Sequence, residues 1–275
     1  MSKLIWDNPG KRYFEAGVDR GVLYTSNGVG VAWNGLIGVT ESPSGGEPIA
    51  YYIDGVKYVN IANREEFSGT IEAFTYPDEF SEYDGSLEIG NGLTVYEQPR
   101  KSFSLSYRTF IGNDIDGSDH GYKIHIIYNA LASPTEKSYM TFGENIDPTH
   151  FSWSITTKPV KAISNTSLTP LSHVVVDSTK TDATVMQYIE SYLYGSSTVM
   201  PKLMPFEQLI GLFEVSSIVM WTIVSNPETG LNNLIPTSQG DLMLNESGEF
   251  NDGLYIATPN TRLVETQSGL YLLES

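Results

Sequence analysis

The residues nearest to a metal-binding pattern are Asp114, Asp116 and Asp119, with Gly117 among them. An EF-hand loop needs ligands that continue to a bidentate Glu at position twelve, between two helices. Counted from Asp114, position twelve is His125, and both flanks read as strands. An Asx-rich hairpin turn accounts for the same residues, because short Asp and Asn side chains bond to nearby backbone. The four histidines, His120, His125, His150 and His173, include no i, i+4 pair of the kind that binds zinc on a helix. There is no Cys, which excludes disulfides, thiolate metal sites and thiol nucleophiles. No Gly-x-Ser-x-Gly elbow and no phosphate loop occur, and Gly28, Gly30 and Gly35 do not form a dinucleotide fingerprint. Carboxylates are abundant, but their order along the chain does not set two of them across a cleft, as a glycosidase requires. The expectation is a non-catalytic protein with no cofactor and no metal.

The charge balance narrows the partners. Sixteen Lys and Arg stand against 33 Asp and Glu, a formal net charge of −17. A conventional nucleic-acid binder neutralises phosphates with a basic face; this chain would repel them. One segment, Pro77–Pro99, carries Asp78, Glu79, Glu82, Asp84, Glu88 and Glu97, with no Lys or Arg before Arg100. A loop of that length in a compact domain is uncommon unless it is functional or disordered, and it is expected to line a surface or meet another subunit. Arg100, Lys101 and Arg108 form a small basic group, expected to pair with carboxylates within the chain or across an interface. The first ten residues carry no apolar signal region, and no apolar stretch reaches the ~18 residues of a membrane span.

The elements that must position these residues are mostly strands. Hydrophobic residues make up 40%, with 17 Tyr and 11 Phe, which suit pleated, half-buried surfaces. Pro48–Asn60 reads as two strands joined at Asp54-Gly55, a pair that favours a tight primed turn. Phe67–Tyr76, Lys101–Ile111, Tyr122–Tyr128, Phe151–Thr157 and Ser172–Asp177 read as further strands, as do Gly21–Ser26 and Val29–Thr40, with Trp33 and Leu36 as core candidates. In Lys101–Ile111, Phe103, Leu105 and Tyr107 alternate with serines and Arg108, the pattern of one buried face. Tyr51, Tyr52, Tyr58, Phe74, Tyr76, Phe103 and Tyr107 are expected in the core and in cross-strand pairs rather than on a sugar-stacking platform. Residues 1–20 read as an arm or a short strand that docks late, and Glu41–Glu47 as a turn-rich loop. Asn113–Gly121 and Ser133–Pro148 read as connections.

One helix is expected over Thr181–Tyr194, N-capped by Thr181 and closed by Gly195, with Val185, Ile189 and Leu193 on one face. A second, short helix fits Pro205–Phe213. Residues 201–275 hold two basic and nine acidic residues, a balance of −7. Glycine-led units at Gly240, Gly253 and Gly269 suggest a loose series of β turns. The expected organisation is a β domain over residues 1–213, a linking segment over 214–236 and a small β appendage over 237–275.

Several stretches, in order, resemble the major tail proteins of long-tailed bacteriophages, especially those infecting actinobacteria. They are ArgTyrPheGluAlaGlyValAspArgGlyValLeuTyr (Arg12–Tyr24), PheThrTyrProAspGluPhe (Phe74–Phe80), Ser106–Asp114, Gly121–Pro134 and Phe151–Pro159. SerHisValValValAspSer (Ser172–Ser178) and TyrLeuTyrGly (Tyr192–Gly195) complete the resemblance, which covers about residues 10–213. It implies a β-sandwich or half-barrel with one flanking helix, whose sheets join between subunits into a hexameric ring. Stacked rings would form the hollow tail tube of the virion, assembled in the bacterial host cytoplasm. The implied partners are further copies of the chain, the tape measure protein and genomic DNA in the lumen, and the tail terminator and distal tail proteins at the ends. On this reading Asp78, Glu79, Glu82, Asp84 and Glu88 are candidate lumen or inter-ring residues, and Arg100, Lys101 and Arg108 candidate intersubunit residues. The alternatives are a carbohydrate-binding β-sandwich, as in an adhesin or receptor-binding virion part, and a carboxylate-pair hydrolase.

Overall fold

The computed structural model describes residues 4–90, 92–139, 141, 148–161, 168–196, 199–214, 221–225, 232–236, 262–265 and 271–274. The chain is mainly β and forms two compact units, Met1–Lys180 and Thr181–Ser275.

The first unit opens with β1 (Phe14–Tyr24), β2 (Gly30–Ala32) and β3 (Leu36–Glu41). A hairpin follows, β4 (Pro48–Ile53) and β5 (Val56–Ala62), then β6 (Ser68–Ala73). A single 3-10 turn, Asp78–Phe80, leads into the four-residue helix α1 (Ser81–Asp84) and the hairpin β7 (Leu87–Gly90) and β8 (Leu93–Val95). The long strands β9 (Phe103–Asn113) and β10 (Gly117–Pro134) are followed by β11 (Phe151–Thr157) and β12 (His173–Asp177). Eight of these strands make one sheet in the order β2-β1-β9-β10-β11-β6-β3, with β12 also on β10.

Strand β10 is the hinge of this sheet. Its first half, Lys123–Ile127, lies between β9 and β12, and its second half, Ala130–Pro134, pairs with β11. A register shift separates the halves, with Asn129 at φ 50°. A bulge bends the strand and raises its twist, so one strand serves two neighbours in succession. The strand path ends at β2 and β3, which are separated in the chain by Trp33, Asn34 and Gly35 alone. Trp33 N–H donates to Gly21 C=O and Phe74 N–H to Gly35 C=O, both at 2.8 Å, so this link touches both ends of the path. The sheet curls around its core but is not closed into a barrel.

The core fills that curl. Leu23, Trp33, Ile71, Phe103, Leu105, Tyr107, Ile127, Trp153 and Ile155 converge from the sheet. Phe80 and Tyr83 enter from the acidic segment at 0% and 1% exposure. Phe80 lies 4.7 Å from the Trp33 ring, 5.1 Å from Trp153 and 5.3 Å from Phe103 by centroid. Edge-on and tilted contacts of this kind suit the ring quadrupoles. The segment Pro77–Pro99 is therefore no irregular loop. Its two aromatics plug the core, while Asp78, Glu79 and Glu82 stay exposed around them.

Several sequence expectations need correction. β1 is a full sheet strand over Phe14–Tyr24, longer than the arm or short strand expected there. Two register shifts and the positive φ of Gly17 and Arg20 break its alternation, and its charged residues find cross-strand partners. β9 is buried on both faces: Ser104 and Ser106 are buried as well as Phe103, Leu105 and Tyr107. Small hydroxyls tolerate this because they bond, Ser106 Oγ to Tyr24 Oη at 3.1 Å and Ser104 Oγ to Asn129 N–H at 3.2 Å. Val29–Thr40 is two strands, broken at Trp33–Gly35. The β4–β5 hairpin has the expected turn, with Asp54 and Gly55 at φ 49° and 77°, but it stands as a separate two-stranded sheet. Tyr51, Tyr52 and Tyr58 are consequently not core residues: they are 51%, 63% and 73% exposed. Phe74 is also exposed, whereas Phe103 and Tyr107 are buried.

In the second unit, α2 (Ala183–Tyr194) buries Val185, Ile189 and Leu193, as the i, i+4, i+8 spacing requires. Asp182, rather than Thr181, caps it: its carboxylate accepts from Thr184 N–H at 2.8 Å. Gly195, at φ 79°, closes it. α3 (Phe206–Glu214) follows, and Tyr188 Oη accepts from Gln208 Nε2 at 2.7 Å. The hairpins β13–β14 (Trp221–Ser225, Asn232–Pro236) and β15–β16 (Arg262–Glu265, Tyr271–Glu274) complete the described part. The glycine-led units at Gly240 and Gly253 lie outside the described residues, and of the unit at Gly269 only Tyr271–Leu273, in β16, is described.

The packing predicts a contrast between two aromatic truncations. Phe80→Ala should lower unfolding free energy by about 3–5 kcal/mol, as for a large core aromatic. Tyr58→Ala should change it by no more than about 0.5 kcal/mol. Urea unfolding of the two variants checks this; a small effect at Phe80 would show that the acidic segment is not part of the core.

Candidate functional site

The densest group of titratable side chains lies inside the curl of the first unit. It draws on four strands: Glu41 ends β3, Tyr107 is on β9, His125 on β10 and His173 begins β12. Backbone pairing places Tyr107 opposite His125, and His125 opposite Val175, so His173 is its diagonal neighbour. Glu41 comes from the far end of the strand path and reaches the others because the sheet curls.

The geometry is tight. His125 Nδ1 is 3.2 Å from His173 Nε2 and 3.2 Å from Glu41 Oε1, and His173 Nε2 is 3.7 Å from Glu41 Oε1. Tyr107 Oη–H donates to the same Glu41 oxygen at 2.6 Å. The His125 ring stacks on Tyr107 at 4.6 Å and 10°, and His173 packs on Phe67 at 4.7 Å. On its other side, His125 Nε2 meets Thr109 Oγ1 at 3.1 Å and Glu15 Oε1 at 3.6 Å. Glu15 also pairs with Lys123. Among the described residues, Glu41, His125 and His173 are the set whose ligand atoms could hold a metal ion.

Burial sets the protonation of this group. It pushes both imidazoles below their ordinary value, against the opposing pull of Glu41. It also pushes the Tyr107 phenol up, and the hydrogen bond to Glu41 adds to this. Burial would raise Glu15, but its bonds to Lys123 and Thr109 outweigh that and hold it low.

The acidic and basic candidates from the sequence do not form one surface. Asp78, Glu79, Glu82 and Glu88 are exposed. Asp84 is not: its side chain is 3% exposed, 3.7 Å from Lys137 Nζ, and accepts from Ser86 N–H and Oγ–H. It is held within its own chain. Glu88 accepts from Gly92 N–H and shapes the β7–β8 turn. The basic residues are dispersed. Arg100 Nε donates to Asp84 C=O, and Lys101 pairs with Glu82 at 2.8 Å, which raises the lysine pKa. Arg108 is in the sheet, where it grips Asp19 with two bonds of 2.7 and 2.5 Å between the rings of Phe110 and Tyr122. The Asp114–Asp119 segment is the expected Asx turn: Asn113 Oδ1 accepts from Ile115 N–H and Asp116 N–H, while Asp114 ties the turn to Gly10 N–H and Arg12.

Outside the core, the β4–β5 hairpin presents Ile49, Tyr51, Tyr52, Ile53, Val56, Tyr58, Val59 and Ile61, each at least 40% exposed. Every residue of β5 is exposed, and all of β4 except Ala50. Side chains alternate along a strand, so both faces of the hairpin are apolar and open.

The histidine pair was not legible in the sequence. His125 and His173 are 48 positions apart and meet only because β10 pairs with β12. The available signal was weak, a histidine within each of two apolar strands.

No family model matches the sequence, and no curated protein matches it. Among solved structures, a chain of the anti-feeding prophage (AFP) baseplate, from its six-fold symmetrised cryo-EM structure, aligns over 64% of this chain and 97% of that chain. The TM-score is 0.28 and the identity 9%, an overlap that establishes neither fold nor role.

The buried imidazoles predict a pH dependence with a definite sign. Their folded-state values lie below the unfolded one, so below about pH 6.5 the unfolded chain binds more protons. Stability is present in full above that value and falls as pH drops towards the folded-state values. Glu15, held low, adds a loss only at more acid pH. Thermal unfolding followed from about pH 7.5 to about pH 5 should show Tm falling, with a shallower fall in His125→Gln. Identical slopes would contradict the burial of His125 as a neutral ring.

Proposed function

We propose that this chain is a structural virion protein, a tail tube subunit that assembles into hexameric rings stacked around a bore for phage DNA. The observation that carries the proposal is the β4–β5 hairpin, with eight large apolar side chains exposed on a two-stranded ribbon. An isolated hairpin is marginal in water, and a contiguous exposed apolar patch marks an interaction surface. A neighbouring subunit would cover it. The resemblance of Arg12–Tyr24 and the later stretches to phage major tail proteins supports the tube over other assemblies.

The remaining surface is consistent with this role. The sheet path ends at β2 and β3 with open edges, and pairing edges between copies removes the hazard that they present. Head-to-tail contacts that close by rotation make a ring. With a net charge of −17, a bore lined by carboxylates would repel phosphates and let DNA slide. Asp78, Glu79, Glu82 and Glu88 are the exposed candidates for that lining or for ring-to-ring contacts. The Lys101–Glu82 pair, exposed on both sides, is suited to exchanging partners across an interface. The role is non-catalytic, with the tape measure protein and DNA as lumen partners and the terminator and distal tail proteins at the tube ends.

Carbohydrate binding is the second reading, and exposed Tyr51, Tyr52 and Tyr58 favour it. They are, however, mixed with aliphatic residues along both strands, whereas a sugar platform groups aromatics on one face.

Sedimentation velocity across protein concentration tests the proposal. The native chain should form species well above monomer mass. The Tyr52→Glu/Tyr58→Glu double variant should stay monomeric with an unchanged Tm. Unaltered assembly in the double variant would remove the hairpin from the interface. A monomeric native chain that binds a glycan array would favour the second reading.

A further inference from the structure

We propose that Glu41 Oε1, His125 Nδ1 and His173 Nε2 form a binding site for one divalent transition metal of the zinc class. The inference does not depend on the tail tube reading. It starts from the tautomer of His125. The Thr109 hydroxyl donates its one proton to Glu15 Oε1 at 2.7 Å. Towards His125 Nε2, at 3.1 Å, it can therefore only accept. Nε2 carries the proton, and in the neutral ring Nδ1 is a bare lone pair. That lone pair faces Glu41 Oε1 at 3.2 Å, an oxygen that already accepts from Tyr107, and His173 Nε2 at 3.2 Å. His173 Nε2 faces both atoms, as an N–H donor in one tautomer and as a third lone pair in the other. In the second tautomer three lone pairs converge on one point, where a metal ion would take all three.

The spacing fits. With metal–nitrogen and metal–oxygen bonds of about 2.0–2.1 Å, tetrahedral ligand atoms stand ~3.3 Å apart. The observed triangle has edges of 3.2, 3.2 and 3.7 Å. The outer contacts match those of metal sites, in which the far nitrogen of a ligating histidine and the ligating carboxylate are both hydrogen-bonded. Thr109 and Glu15 serve His125, and Tyr107 serves Glu41. The Glu41 side chain is 36% exposed, which leaves a solvent side for a fourth, water ligand. The ion would fasten β3 to β10 and β12 across the interior of the open sheet.

The test uses the full chain, freed of metal with a chelator and then titrated with Co2+ and Zn2+. The expected result is one Co2+ per chain with the intense visible bands of a tetrahedral site, its displacement by Zn2+, and a higher Tm with Zn2+. Glu41→Gln and His173→Gln should each weaken binding at least tenfold, and Tyr107→Phe about tenfold, while His120→Gln should bind as the native chain does. Should His173→Gln not fold, Glu41→Gln at its partly exposed position still decides. Uptake well below one ion per chain, or binding unchanged in Glu41→Gln, would overturn the proposal.

Discussion

The structure of the first unit depends on holding a curled sheet together across its open side. The strand path begins at β2 and ends at β3, and no continuous ladder joins them. Two interactions work in place of that ladder. One is apolar: Phe80 and Tyr83, from the short helical turn after β6, fill the space between Trp33, Trp153 and Phe103. The other is polar: Glu41, at the end of β3, takes a hydrogen bond from Tyr107 and lies against His125 and His173. An acidic residue on the last strand is thereby bound to the middle of the sheet. In a low-dielectric setting such a network is strong when satisfied and costly when broken.

What the fold leaves outside is as informative as what it encloses. The β4–β5 hairpin spends apolar residues where they face water, and the acidic segment exposes Asp78, Glu79 and Glu82 around a buried aromatic plug. In the proposed assembly, the hairpin would supply buried area and the carboxylates a repulsive coat. A single segment, Asp78–Asp84, then serves both the inside of the chain and its surface, because adjacent residues of a short helical turn point in different directions.

The sequence was readable where periodicity matched burial. Phe103, Leu105 and Tyr107 alternate and are buried; Val185, Ile189 and Leu193 share a helix face and are buried; Asp54-Gly55 makes its primed turn. It misled where partners lay far away along the chain. β1 looked like an arm or a short strand because Glu15 and Asp19 are charged, yet Lys123 and Arg108, about 90 or more positions on, receive them. The hairpin tyrosines looked like core because local alternation cannot distinguish a buried face from an exposed one. The cluster of Glu41, His125 and His173 depends wholly on sheet curvature and strand order, which no local pattern encodes.

The most direct measurement is electron microscopy of the purified full chain over a range of protein concentration and ionic strength. Hollow rings or tubes with six-fold symmetry are the predicted result, favoured at higher salt, where repulsion between these acidic subunits is screened. Uniform particles of single-chain mass under every condition would contradict the account of this protein as a self-assembling tube subunit.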